Sequence, residues 1–492
     1  LLFRLAAIAL GLLPVLAIEG TLRLFDLGRP ADYEDPFVGF SAVHPLFVPD
    51  ATGTNYEIPR SRQVFFCPES FPIHKPAGCR RVFVLGGSTV QGRPYAKETA
   101  FSTWLEIRLN AADPDHSWDV INCGGISYAS YRLIPILREV LTHQPDLIVV
   151  CTGHNEFLED RTYGEIRQAP AWRIGALEVA SRSRVFTLLR HGWLRLRGRE
   201  ALVPEDRPVL GPEVVARLDY KGGIDAYLRD DAWHRDVIEH FEANLRGMVR
   251  TARAAGVPLI LVSPVSNLEY PPLKAEPTPN LTPEESLAAR SLRETARQRF
   301  SQDLPGAIER LEQAVAIDPR HAGLLYDLGR CHQLAGRWTD ARQALIRARD
   351  EDVCPLRMPS PIRDRLLQLA EVSRTPLVDA DRLIAERSRG GIPGAEWLVD
   401  HVHPSIEGHR LIADALANEV IRHGLIRPRP RWRDDLERRD RDHLASLDPS
   451  YFLKARIRLS NEQGWARGQA QLEPPSGSPP ISSPDDSKNP AR

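Results

Sequence analysis

Five short apolar runs, each bounded by turn-forming residues, constrain what this chain can fold into more than any other feature. They are Val82–Leu85, Val120–Ile121 after Trp118, Leu147–Val150, Leu259–Val262 and Leu377–Val378. Runs of this length without polar alternation suit strands buried on both faces. Between them, Thr103–Leu109, Leu133–Leu141 and Val237–Ala255 repeat apolar residues at helical spacing. Strands alternating with helices predict a parallel sheet covered on both sides, a doubly wound α/β sandwich. Ligands of such sheets sit beyond the carboxyl ends of the strands, so the residues after each run are the candidates for chemistry.

At 492 residues the chain has room for this domain and for insertions. Its 64 basic and 65 acidic residues leave a net charge of −1, so no global field attracts nucleic acid. Residues 1–25 hold an N-terminal apolar segment, LLFRLAAIALGLLPVLAI, interrupted only by Arg4 and ended by Glu19. As a helix it is roughly 27 Å long, nearly a bilayer core if Arg4 snorkels. An uncleaved membrane anchor is expected, with a cleaved signal or a buried helix as alternatives. The six cysteines form no CxxC pair; Cys67 with Cys79, or Cys331 with Cys354, are open to bridging, and Cys123 and Cys151 fall at the ends of buried strands.

An extension at 26–79 precedes the α/β domain, whose first part is expected at 80–284 and whose second part is expected at 355–425. Residues 158–232 interrupt it with an Arg-, Trp- and Pro-rich insertion suited to a lid or partner surface. A second insertion, 285–354, repeats Ala307/Ala341, Leu311/Leu345 and Ala314/Ala348 at a spacing of 34 residues, the period of tetratricopeptide helices. Leu328-Gly329, Gly336, Ala341 and Ala348 resemble one such repeat, and Ala307, Ala314 and Asp318-Pro319 the second half of another. Too few repeats for a free solenoid, they must pack on the α/β body. Residues 426–472 form a charged C-terminal extension with Trp432 and Tyr451 as candidate anchors, and 473–492 are Pro-, Ser- and Asp-rich, the composition of a disordered tail.

Three strings carry candidate chemistry. In Gly86-Gly87-Ser88-Thr89, two glycines after the first apolar run let the backbone turn and present a hydroxyl. Gly153-His154-Asn155-Glu156 offers an amide donor after the third run. In Asp400-His401-Val402-His403-Pro404 a carboxylate three residues before an imidazole can fix its tautomer, leaving Nε2 to take a proton from Ser88. Each string also has a plainer use: Ser88 and Asp400 as helix caps, Asn155 as a turn former, His154 and Glu156 as loop supports. Asp400, His401, His403 and His409 also leave a metal reading open.

Together these residues resemble the SGNH (GDSL-like) hydrolase superfamily over roughly residues 80–265 and 360–425. The match runs through Gly86-Gly87-Ser88, with Gly87 where many members have Asp, through Gly153 to Glu156, and through Asp400 to His403. The segment Asn122 to Tyr128 departs from the pattern, since the family's oxyanion glycine falls on Ser127, with Gly125 as the alternative. The tetratricopeptide-like helices narrow the resemblance to a bacterial membrane-anchored group. It implies a flavodoxin-like three-layer sandwich with a five-stranded parallel sheet, no metal and no organic cofactor.

The expected activity is therefore a serine esterase or deacylase acting outside the cytoplasmic membrane on an ester-bearing substrate, such as an acylated cell-envelope glycan or lipid. Ser88 is the expected nucleophile, His403 the base and Asp400 its orienting carboxylate. Ser88, Ser127 and Asn155 are the expected oxyanion donors, with Gly87, Gly125 and His154 lining the substrate. An O-acyltransferase using the same triad, or a catalytically weak interaction protein built on the helical insertion, are the alternatives.

Overall fold

The computed structural model describes residues 13–14, 16–25, 35, 37–161, 183–185, 189, 209–469 and 472. These fall into two units, Leu1–Val43 with Arg161–Pro212, and His44–Asp160 with Glu213–Arg492. In the first, Gly39–Phe40 pairs in parallel with Val209–Leu210, and Glu19 accepts from Ser183 Oγ at 2.9 Å and pairs with Arg23. Most of the expected membrane segment, residues 1–12 and 15, lies outside the described residues, as do the tail at 473–492 and most of the insertion between 162 and 208. No described helix is long and apolar enough to cross a membrane.

The second unit is built on five parallel strands: β1 (Cys79–Gly86), β2 (Ser117–Gly124), β3 (Leu147–Cys151), β4 (Leu259–Ser263) and β5 (Leu377–Asp379). Their order is β2-β1-β3-β4-β5, the flavodoxin-like arrangement in which the chain reverses direction across the sheet between β1 and β3. Val82, Phe83, Val84 and Leu85 are all fully buried, which is why an unbroken apolar run rather than an alternating one marks this strand. Burial of each such side chain contributes about 1.5–3 kcal/mol. Register places Gly86 beside both Gly124 and Cys151, so β1, β2 and β3 end level and their following loops share one edge.

The covering helices are α1 (Ser88–Gln91), α2 (Phe101–Ala112), α3 (Ser130–Leu141), α4 (Asp231–Ala254), the inserted α5 (Pro283–Arg299), α6 (Leu304–Ile317), α7 (Ala322–Leu334) and α8 (Trp338–Asp350), then α9 (Ser360–Ser373), α10 (Ala380–Ala385), α11 (Ile406–Arg422), α12 (Leu436–Ala445) and α13 (Ser450–Ala466). Trp104, Leu105 and Leu109 of α2 meet Ile412, Leu416 and Val420 of α11 over Val82 and Val84. Helices α3 and α9 each pack against α4, and all three lie on the sheet.

The inserted helices form two hairpins. Ala307, Leu311 and Ala314 of α6, and their counterparts Ala341, Leu345 and Ala348 of α8, are all at most 1 % exposed. A Cβ on Gly329 would stand 2.7 Å from Leu345 Cγ, so the α7–α8 crossing requires glycine. Helix α5, with Ala289 and Ala296 buried, completes the first hairpin. The second hairpin sits on the α/β body through Leu268, Ile392, Trp338 and Leu345, and Tyr326 Oη donates to the Glu269 carbonyl at 2.8 Å.

The C-terminal extension folds back along the same body. Trp432 is buried in the main core. Asp440 of α12 is gripped by Arg108 of α2 through two bonds of 2.5 and 2.8 Å, with both side chains buried. Tyr451 of α13 shares a hydrogen bond with Thr99 Oγ1 at 2.8 Å, and at the other end Trp465 Nε1 donates to Asp219 at 2.9 Å. All six cysteines are buried and unpaired, so neither candidate bridge forms; Cys79 Sγ lies 3.1 Å from the Asp119 carboxylate instead.

Candidate active site

Ser88 opens α1 directly after the turn that ends β1, and two close approaches explain the glycines before it. A Cβ on Gly86 would lie 2.2 Å from the Cys151 carbonyl oxygen, and one on Gly87 would lie 2.4 Å from Asn155 Nδ2. The sheet edge therefore admits only hydrogen at Gly86, while a side chain at Gly87 would displace the Asn155 amide.

Asp400 and His403 come from the loop between α10 and α11. That loop is closed on itself by Val399 N–H donating to the His403 carbonyl and Ser405 N–H to the Trp397 carbonyl. Asn267, following β4, fixes it from outside by donating to the Asp400 carbonyl at 2.8 Å. One Asp400 oxygen accepts the backbone N–H groups of Val402 and His403 at 2.9 and 2.8 Å. The other is 2.6 Å from His403 Nδ1, and His403 Nε2 is 2.8 Å from Ser88 Oγ. Ser405, not Asp400, caps α11.

The protonation states follow from these contacts. Burial raises the Asp400 carboxyl, but the two neighbouring imidazoles and the donated N–H groups overcome it and hold the group well below the usual carboxylate range. An ionised Asp400 can only accept, so Nδ1 carries the imidazole proton and Nε2 is left to accept from Ser88. Burial pushes the His403 pKa down, yet Asp400 and Glu462 outweigh it and raise it above the ordinary value. The arrangement can take the Ser88 proton onto His403 while Asp400 holds the imidazolium.

The loop after β2 separates the two candidate backbone donors. Gly125 N–H donates to the Gly86 carbonyl at 2.9 Å and is consumed in the fold. Ser127 occupies the third position of a turn closed by Tyr128 N–H on the Gly125 carbonyl, with φ of +62°. That left-handed conformation is where glycine is at ease and other residues are strained by about 1 kcal/mol. Among the described residues neither Ser127 N–H nor Ser88 N–H donates to a protein acceptor. Asn155 Nδ2 is anchored on the Tyr128 carbonyl at 3.0 Å, beside the same loop. The three candidate donors thus lie on the loops that follow the level ends of β1, β2 and β3.

Two expected substrate contacts, His154 and Gly125, are engaged in holding the fold. His154 is buried, its Nδ1 accepts the Met358 N–H at 3.0 Å, and burial lowers its pKa to about 3; it ties the β3 loop to the segment after the inserted helices. Gly125 lies against Tyr128 and Phe66, where a Cβ would meet their rings at 2.7 and 2.9 Å, and it is equally a packing residue. Glu156, fully buried, accepts from Ser130 N–H and Oγ and supports the loop.

The metal reading also changes composition. Asp400 and His403 are joined within 4.8 Å by Glu462 of α13, and neither His401 nor His409 belongs to that group. Burial lowers the pKa of His401 to about 4 and of His409 to about 3, keeping both neutral.

Glu462 was not foreseen from the sequence, nor was Arg93, whose Nη1 lies 3.3 Å from it. No motif surrounds Glu462, and hydropathy misleads along its helix. Leu453 and Ile457 face solvent, 54 % and 56 % exposed, while Tyr451, Ala455, Glu462 and Ala466 share the inward face.

A family model described as a tetratricopeptide repeat matches residues 301–353. No curated protein matches the sequence. Among solved structures, the chain is similar to a lipase/acylhydrolase from Enterococcus faecalis at 12 % identity and a TM-score of 0.32, over 72 % of this chain and 98 % of that one. A catalytic mutant of an acetylxylan esterase from Geobacillus stearothermophilus is 15 % identical, with a TM-score of 0.30, over 69 % and 94 % of the two chains. A further acetyl xylan esterase is 12 % identical, with a TM-score of 0.31, over 69 % and 99 %.

Proposed function

We propose that this protein is a serine ester hydrolase of the SGNH (GDSL-like) kind. The observation that carries the reading is the unbroken line from Ser88 Oγ through His403 to Asp400, at 2.8 and 2.6 Å. Ser88 attacks the ester carbonyl as its proton passes to His403 Nε2. The tetrahedral oxyanion is received by Ser88 N–H, Ser127 N–H and Asn155 Nδ2. His403 then returns the proton to the leaving alcohol, and a water activated by the same imidazole releases the acid.

The test is labelling of the full chain with a fluorophosphonate, whose phosphorus accepts Ser88 Oγ with loss of fluoride. Wild-type labelling that disappears in both Ser88→Ala and His403→Ala supports an activated serine. Labelling that survives either change sinks the assignment. Where ester turnover follows, the ratio of free acid to acylated acceptor separates hydrolysis from acyl transfer to a sugar hydroxyl.

The proposal also holds the N-terminal apolar segment to be a membrane anchor, with the catalytic unit outside the cytoplasmic membrane and the tetratricopeptide-like helices offered to a protein partner. The apolar run from Leu5 to Ile18 supports the anchor. Extraction of the full chain from membranes by carbonate would count against it.

A further inference from the structure

The C-terminal helix α13 crosses the α/β body between two fixed points, Tyr451 on the α1–α2 connection and Trp465 on Asp219. Between them it delivers one carboxylate to the candidate triad. Glu462 Oε2 lies 3.8 Å from His403 Nδ1 and is buried without a hydrogen-bond partner among the described residues. Its other oxygen faces Arg93, whose own N–H donates to the Ser88 carbonyl at 3.1 Å. Arg93 is thus tied by backbone to the nucleophile and by side chain to Glu462.

At 3.8 Å with an occupied Nδ1–H, Glu462 is too far to replace Asp400 as hydrogen-bond acceptor. Burial raises the pKa of the Glu462 carboxyl, with His403 and Arg93 opposing that shift, and in its ionised form its effect is that of a charge. While His403 is neutral, the unpartnered oxygen gains little from the ring. Once the Ser88 proton reaches Nε2, the same oxygen faces an imidazolium in a largely dry setting, where the attraction is far stronger than in water. An interaction that strengthens only as the transition state forms accelerates the chemical step.

We propose that Glu462 is a positioning residue for His403, contributed by the C-terminal helix and steadied by Arg93, that stabilises the imidazolium formed when Ser88 reacts. This rests on the serine-hydrolase reading above. The charged and titratable groups facing this centre are Asp400 and His401 from the same loop, Arg93 beyond α1, Arg458 and Glu462 from α13, His154 beyond β3 and His409 on α11. Burial and Arg93 oppose protonation of His403, whereas Asp400 and Glu462 favour it. His154, His401 and His409 are held neutral, so their state does not change over the working range.

The experiment is the rate of fluorophosphonate labelling of the full chain from pH 5 to 9, for wild type, Glu462→Gln, Glu462→Asp and the exposed control Lys454→Gln. In Glu462→Gln the midpoint of the rising limb should move down by about half to one pH unit, and the plateau rate should fall roughly tenfold, less than a lone poorly screened charge near 4 Å would give because Arg93 offsets part of the carboxylate's field. Glu462→Asp should fall between this variant and wild type, and Lys454→Gln should match wild type. A Glu462→Gln profile with the wild-type midpoint overturns the inference, even if its rate is lower, because a merely structural role moves rate or stability and not the midpoint. Wild-type protein that labels at no pH overturns the hydrolase reading itself and this inference with it.

Discussion

Asn155 Nδ2 occupies the space that a Cβ on Gly87 would need, 2.4 Å from its ideal position. The amide and the Gly87 backbone are therefore fitted to each other, one residue before the candidate nucleophile. Gly87→Ala should push the amide off the Tyr128 carbonyl and out of the donor cluster. Loss of one preorganised oxyanion donor lowers turnover by about 10² to 10³. Fluorophosphonate labelling rates should fall by that factor while the chain keeps its wild-type circular dichroism, and Asn155→Ala should behave alike.

The pH dependence of the wild type follows from His403. Only the neutral imidazole can take the Ser88 proton, and Asp400 with Glu462 raises the pKa above its ordinary 6.5 against the effect of burial. The rate is accordingly low below that raised pKa and climbs as pH rises through it. Asp400, held well below the usual carboxylate range, stays ionised across the whole span and adds no second limb. A labelling-rate profile with a single rising limb and a midpoint above 6.5 is expected. A midpoint at or below 6.5 would contradict the charge balance.

Much of this arrangement is legible in the sequence because it is local. The apolar runs are strands, and in the central ones burial on both faces leaves no polar alternation, while Asp400 reaches His403 because they stand three positions apart in one tight loop. The glycines at 86 and 87 advertise a crowded strand end. What stayed hidden depends on contacts across long sequence gaps. Nothing near His154 signals that its ring will accept the Met358 N–H, 204 residues away. Ser127 and Gly125 are indistinguishable as donors until the fold consumes one N–H on Gly86. Glu462 escaped because its helix turns small and polar residues inward and leaves Leu453 and Ile457 outside, against the pattern from which buried faces are read.

Ser127 gives a prediction of opposite sign for two substitutions. Its φ of +62° is a conformation glycine adopts without penalty. Ser127→Gly should keep the N–H in place, leave labelling within about twofold of wild type, and stabilise the fold by up to about 1 kcal/mol in chemical denaturation. Ser127→Pro removes the N–H and cannot hold a positive φ. It should lower labelling by at least the factor expected for one donor, and stability with it.

Asp440 links the C-terminal helices to the α/β body through a fully buried charge pair. Its carboxylate accepts from Arg108 Nη1 and Nη2 at 2.5 and 2.8 Å and from Arg410 Nε at 2.9 Å, and the Arg108 and Asp440 side chains are only 2 % and 3 % exposed. Taking two such charges out of water costs several kcal/mol each, and their attraction roughly offsets this while both are present. Removing one partner leaves the other buried and unneutralised. Asp440→Ala should therefore lower unfolding stability by about 3 kcal/mol, moderated by Asp414, which retains its own bond to Arg108 Nε. The double variant Arg108→Met, Asp440→Leu should recover a large part of that loss, since neither member of the buried pair is left stranded and Arg410 keeps its pairing with Glu407. Denaturant titrations of the three proteins check the ordering. A double variant no more stable than Asp440→Ala would show that the pair stabilises the docking of α12 beyond its own cost of burial.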